Sequence, residues 1–176
     1  MTDNNKDNKQ EINILLGFND AFLIPVKVML RSLIDNETKA LHIFVAYSDL
    51  SEASIKEIEE FRREGAAVDF IRIGNDILER LDFPVKETFF RLFAHTYIDP
   101  SIDRILWLDG DSIVINPIWD FYSQDFEGNL FAAVKDMSEK VCAERKNLFE
   151  LFELLNLINY IKPVPQLLSW RSCRLL

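Results

Sequence analysis

Short apolar runs alternate with amphipathic stretches through the first half of this chain. Ile12-Asn-Ile-Leu-Leu-Gly17 is an apolar run of strand length. From Phe22 to Ile34 the spacing becomes helical, with Val26, Met29, Leu30 and Leu33 on one stripe. Pro25 falls in the first turn, where a missing N–H is tolerated, and Asp35-Asn36 closes the segment. Leu41 to Tyr47 is a second apolar run. Ser48-Asp49-Leu50-Ser51-Glu52 then carries capping chemistry, and Ile55, Ile58 and Phe61 make the face of a helix stopped by Gly65. Ala67 to Ile73 is a third run. This β-α-β-α-β order predicts a mostly parallel sheet with helices on both faces.

Beyond it, Asp76 to Leu81 reads as a helical turn, and Glu87 to Tyr97 as one helix ending before Asp99-Pro100. Arg91 sits in that helix among Phe89, Phe90, Leu92 and Phe93. A charge in such a setting needs a partner, either a structural carboxylate or a phosphate. Arg104 to Leu108 is a fourth strand-length run. Ile113 to Ile115 resumes it, Pro117 closes it, and Trp119 and Phe121 anchor a short turn. Leu130 to Val134 reads as a further strand. Residues 1–10 are polar and expected to be disordered, and 11–137 form the domain. Residues 138–161 form an apolar helical segment, in which Leu148 to Ile158 offers a surface for core burial or self-association. The tail, 162–176, differs in character, with two prolines, three basic residues and no acid.

Composition narrows the function classes. The 176 residues suffice for one domain with a substantial core, and 14 Phe help to fill it. A net charge of −9 argues against bulk nucleic-acid binding, which needs clustered Lys and Arg. Two cysteines without a CxxC indicate neither a disulfide scaffold nor a zinc site. No apolar run reaches the ~18 residues that cross a bilayer. The expected location is the cytoplasm, including the periphery of the inner membrane. His42 and His95 read as packing or surface residues.

The chemistry concentrates at Leu108-Asp-Gly-Asp-Ser112. In extended chain, residues i and i+2 share a face, so Asp109 and Asp111 could reach one cation, and Gly110 would let the backbone approach a ligand. Such hard oxygen ligands suit Mg²⁺ or Mn²⁺. The alternative is a plain Asp-Gly turn between two hairpin strands. Ligands of open parallel sheets bind beyond the carboxyl ends of the strands, where Asn19 and Asp20 would face the same crevice. There is no GxGxxG and no GxxxxGK[ST], which argues against dinucleotide and P-loop sites.

Phe90-Arg91-Leu92-Phe93, Ile102-Asp-Arg-Ile-Leu-Trp-Leu-Asp-Gly-Asp-Ser-Ile-Val114, Asn116-Pro117-Ile118-Trp119 and Ala132-Ala-Val-Lys-Asp136 together resemble glycosyltransferase family 8, from about Ile12 to Asp136. That family includes the lipopolysaccharide galactosyl- and glucosyltransferases and glycogenin. The resemblance implies a GT-A (Rossmann-like) nucleotide-diphospho-sugar transferase fold, a UDP-sugar donor, Mn²⁺ (or Mg²⁺), and retaining transfer of a hexose to a saccharide acceptor of the lipopolysaccharide type. It implies Asp109 and Asp111 as metal ligands and Arg91 near the donor's sugar and phosphates. Phe18, Asn19, Asp20 and Phe22 would cradle the uracil, with Phe22 stacking on it; Asn19 stands where many members have Asp. Gly110 would belong to the donor site, and Asp136 would line the sugar pocket. No nucleophile or base is assigned. Asn159-Tyr160-Ile161 stands where the family has Asn-(Ala/Ser)-Gly, and the family's later His-x-x-Gly-x-x-Lys, which supplies a third metal ligand and a diphosphate lysine, does not occur here. The expectation is a C-terminally truncated transferase, incomplete as a catalyst; the alternative is a non-catalytic nucleotide-binding or interaction domain.

Overall fold

The computed structural model describes residues 11–79, 86–129, 131–134 and 161–164. The elements run β1 (Glu11–Gly17), α1 (Leu23–Asn36), β2 (Ala40–Tyr47), α2 (Glu52–Glu59), β3 (Ala67–Arg72), α3 (Asn75–Leu78), α4 (Ala94–Tyr97), β4 (Leu106–Trp107), α5 (Trp119–Tyr122), β5 (Phe131–Val134) and β6 (Ile161–Val164). Short 3₁₀ turns span Asp20–Phe22, Glu60–Glu64 and Glu87–Phe93.

Strands β3-β2-β1-β4 form one parallel sheet in that order. The alternating side chains of each strand feed two cores. Ile12, Ile14 and Leu16 of β1 join Leu41, Ile43 and Val45 of β2 beneath α1 and α2, with Val26, Met29, Leu30 and Leu33 buried against them. On the opposite face, Leu15, Phe44 and Ala46 meet Ile77, Phe90 and Trp107. Helices therefore cover both faces, as the periodicity predicts. Each fully buried aliphatic or aromatic side chain contributes about 1.5–3 kcal/mol by leaving water, so β1 and β2, buried almost throughout, anchor the domain.

Strand order carries the functional consequence. The chain winds outward from β1 through β2 to β3, then returns to place β4 on the other side of β1. That reversal opens a crevice between the carboxyl ends of β1 and β4, where ligands of doubly wound sheets bind. Ile14 faces Leu106 and Leu15 faces Trp107 across this pair.

Three predicted elements differ in detail. Glu87 to Tyr97 is not one helix but a 3₁₀ stretch, Glu87–Phe93, leading into α4. Ile113 to Ile115 is not a strand, so no Asp-Gly hairpin forms; β4 instead pairs in parallel with β1. Val114 is tied to α1, its N–H donating to Ser32 Oγ at 2.9 Å and its carbonyl accepting from Asn36 Nδ2 at 3.1 Å, while Ile113 and Ile115 are exposed. Fourth-strand pairing covers only Leu106–Trp107, although the Leu108 N–H still donates to the Leu15 carbonyl at 3.1 Å. β5 and β6 pair with each other in parallel. Of the expected helix over 138–161, residues 138–160, with Leu148 to Ile158, lie outside the described residues, and Ile161 opens β6 instead. Among the described residues, no helix is long and apolar enough to cross a membrane.

Candidate functional site

Asp109 follows β4 at the mouth of the crevice. The Ser112 N–H and hydroxyl both donate to the Asp109 carbonyl, at 3.2 and 2.7 Å, which bends Asp109-Gly110-Asp111-Ser112 into a tight turn. The side-chain alternation of extended chain thus stops at Asp109. Asp111 sits exposed on the turn, and Asp109 is mostly buried beside it.

Gly110 is explained by packing. A Cβ there would lie 2.5 Å from Cγ2 of Val26, so the turn is pressed directly onto α1. The expected close approach of Gly110 is therefore made to this helix, and through it the acidic turn is fixed to the element that follows β1.

Asp109 Oδ1 accepts a hydrogen bond from Trp107 Nε1 at 2.8 Å. Arg91 Nη1 lies 3.8 Å from the same oxygen, and the Arg91 guanidinium stands 4.8 Å from the Trp107 ring centre. Arg91 Nε also donates to the Thr88 carbonyl at 2.8 Å. Of the two partners open to Arg91, the structural carboxylate is present and is Asp109; the 3₁₀ stretch sets the guanidinium over the Trp107 ring and beside that carboxylate. The same stretch buries Glu87, whose Oε1 accepts from Ser48 Oγ at 3.2 Å just past β2. Trp107 and Glu87 were both missed by sequence reasoning. Trp107 looks like one more apolar strand residue, and Glu87 like an ordinary first-turn acid.

The loop after β1 divides its residues. Phe18, 2% exposed, points into the core beneath α1, so only its backbone lies at the crevice edge. Asn19 caps the 3₁₀ turn through Oδ1, which accepts from the Ala21 N–H at 3.2 Å. Asp20 Oδ1 accepts from Ser54 Oγ at 2.6 Å, the Ser51 N–H at 3.1 Å and Ser51 Oγ at 3.2 Å. These bonds, Ser54 foremost, hold the Asp20 carboxyl below its ordinary value of 3.8 and lash the loop to the start of α2. Phe22 is 43% exposed, an aromatic surface open at the crevice. Asp136 lies outside the described residues.

His42 pairs with Asp69 at 2.7 Å across β2 and β3, and His95 is exposed on α4. Among the described residues no group of three or more His, Cys, Asp or Glu side chains could hold a metal by itself. Two carboxylates supply hard oxygen ligands of the kind a Mg²⁺- or Mn²⁺-type cation takes, with its remaining positions left to a phosphate-bearing ligand and water. A separate groove of about 810 Å³ between α1, α2 and residues 113–115 includes none of the candidate site residues.

A parallel sheet covered by helices on both faces, with an acidic turn and an arginine at its switch point, defines an open, doubly wound α/β domain. The chain belongs to glycosyl transferase family 8, whose model matches residues 13–165, extending past Asp136. Among solved structures it is similar to the galactosyltransferase LgtC in complex with donor and acceptor sugar analogs, with 20% identity and a TM-score of 0.65 over 80% of this chain and 51% of that one. It is also similar to the glycosyltransferase GlyE of Streptococcus pneumoniae TIGR4, with 16% identity, a TM-score of 0.64, and 88% and 45% coverage. A third likeness is to mouse xyloside xylosyltransferase 1, with 18% identity, a TM-score of 0.56, and 72% and 53% coverage. These likenesses establish the GT-A fold; the chain spans about half the length of the solved relatives it matches. No curated protein sequence matches it.

Proposed function

We propose that this chain forms the donor-binding part of a retaining hexosyltransferase that uses a UDP-sugar, a divalent cation and a saccharide acceptor of the lipopolysaccharide type. The observation that carries the reading is the Arg91–Trp107–Asp109 cluster beside the acidic turn at the β1/β4 switch point. Asp109 and Asp111 would hold Mn²⁺ (or Mg²⁺), and Arg91 would face the donor's phosphates. Phe22 would stack on the uracil, with Asn19 and Asp20 shaping the loop beneath it and Phe18 buttressing it from the core. Asp136 would line the sugar pocket. When bound, the cation would act as a Lewis acid, neutralising charge on the departing diphosphate. Family membership and a solved relative carrying donor and acceptor sugar analogs support this reading.

The test is titration of UDP with and without Mn²⁺ on wild type, Asp109→Ala and Asp111→Ala. Mn²⁺-dependent binding should be present in wild type and lost in both variants, with the fold largely intact. Equal UDP affinity in all three proteins at saturating Mn²⁺ would refute the assignment. Transfer assays separate the transferase from the other reading, a nucleotide-binding domain without catalysis.

A further inference from the structure

We infer that Trp107 is a positioning residue for Asp109: its indole N–H occupies one carboxylate oxygen and leaves the other to a cation. The inference rests on the nucleotide-sugar reading above and deepens it. Trp107 is 4% exposed and packs with Leu15, Phe44 and Phe90. Gly17 lies tight against it, since a Cβ there would come within 3.0 Å of its Cη2 and 2.9 Å of the Glu87 carbonyl oxygen. A ring so enclosed has one orientation, and pairing of Leu15 with Trp107 sets its height on the sheet. Two residues on, Asp109 leaves the strand end on the same side, which brings Oδ1 to 2.8 Å from Nε1.

An indole N–H only donates, so it never competes with the carboxylate for a cation. Its bond takes Oδ1, the oxygen that Arg91 also approaches at 3.8 Å. Oδ2 takes no hydrogen bond from any described residue, and the carboxylate plane is fixed before any ion arrives. The face of the same ring supports the Arg91 guanidinium at 4.8 Å. One buried side chain therefore sets both the acid that would bind metal and the base that would meet phosphate. Partners that orient a metal's ligands affect affinity by about 10–100-fold in other proteins.

The test compares wild type with Trp107→Phe, which keeps a buried aromatic ring and removes the donor. Free Mn²⁺ is followed by electron paramagnetic resonance in the presence of UDP, with circular dichroism as the check on folding. Mn²⁺ affinity should fall about tenfold or more in folded W107F. Unchanged affinity in folded W107F overturns the inference and leaves the nucleotide-sugar reading standing. Wild-type UDP binding that ignores Mn²⁺ overturns both. A second measurement needs no altered site: the indole ¹⁵N–H resonance of wild-type Trp107, assigned by elimination in W119F and W170F, should broaden away at substoichiometric Mn²⁺ with UDP. A Trp107 resonance that stays sharp to Mn²⁺ saturation overturns the inference even where W107F does not fold.

Discussion

A methyl group on Gly110 would sit 2.5 Å from Val26 Cγ2, closer than packed carbon atoms can be held. Gly110→Ala is therefore expected to destabilise the domain by about 1–3 kcal/mol, the range for overpacking a tight contact. Val26→Ala removes the obstructing methyl groups, so the double variant should be more stable than the sum of the single losses allows. Urea unfolding of the four proteins measures this coupling, and strictly additive losses would show that the contact is not what constrains position 110. Arg91 admits a comparable separation of roles. Lys at this position keeps the charge but loses the planar fork and the stack on Trp107. Arg91→Lys should weaken UDP binding in Mn²⁺ by about tenfold, the size of one lost charge-assisted bond, with the unfolding midpoint little changed. A lower midpoint with unaltered affinity would instead make Arg91 a structural counter-ion of Asp109.

Between elements, Asp20 joins the loop after β1 to the first turn of α2 through the Ser54 hydroxyl, the Ser51 N–H and the Ser51 hydroxyl. Because these donors hold its carboxyl below 3.8 in the folded chain, the contribution is complete above the unfolded value and is lost as pH falls through the lower folded one. Asp20→Asn should therefore lower the thermal midpoint at neutral pH, and the gap from wild type should close in strong acid. A gap independent of pH would sink the assignment. The elements that Asp20 connects were legible in the sequence because two periods separate cleanly there. Ile12 to Gly17, Leu41 to Tyr47 and Ala67 to Ile73 return as β1, β2 and β3 with ends shifted by about a residue. Glu87 to Tyr97 was harder, since apolar positions three and four apart suit a 3₁₀ stretch and an α-helix alike, and Phe89, Phe90 and Phe93 satisfy both. At Ile113 to Ile115, β-branched residues suggested a strand, yet nothing in a one-dimensional pattern says that Ser32 and Asn36 bond the backbone of Val114. The site was half legible: Asp109, Asp111 and Arg91 stand out by charge, whereas the role of Trp107 depends on an N–H whose acceptor is defined only once the chain turns at Asp109.

At the scale of the molecule, binding and transfer come apart. The described parts of the crevice gather at the carboxyl end of the sheet: the loop after β1, the 3₁₀ stretch carrying Arg91, and the turn after β4. Together they offer two carboxylates, a guanidinium and an exposed aromatic ring, a set that serves a diphosphate, a cation and a base. Mn²⁺ takes about six ligands, and two carboxylates with phosphate oxygens and water can complete that number, so donor binding is expected from this chain. Transfer asks for more. An acceptor must be held against the anomeric carbon with water excluded, and positioning of that kind accounts for about 7–11 kcal/mol of barrier lowering. The groups named in this crevice serve the donor and none is assigned to the acceptor, so the expected outcome for these residues is Mn²⁺-dependent UDP binding without appreciable turnover. Purified protein incubated with several UDP-sugars, Mn²⁺ and simple saccharide acceptors, with product followed by mass spectrometry, decides the matter. Sustained transfer by a monodisperse monomer would show that the residues around Asp109 and Arg91 suffice for catalysis, and the separation of binding from transfer would have to be abandoned.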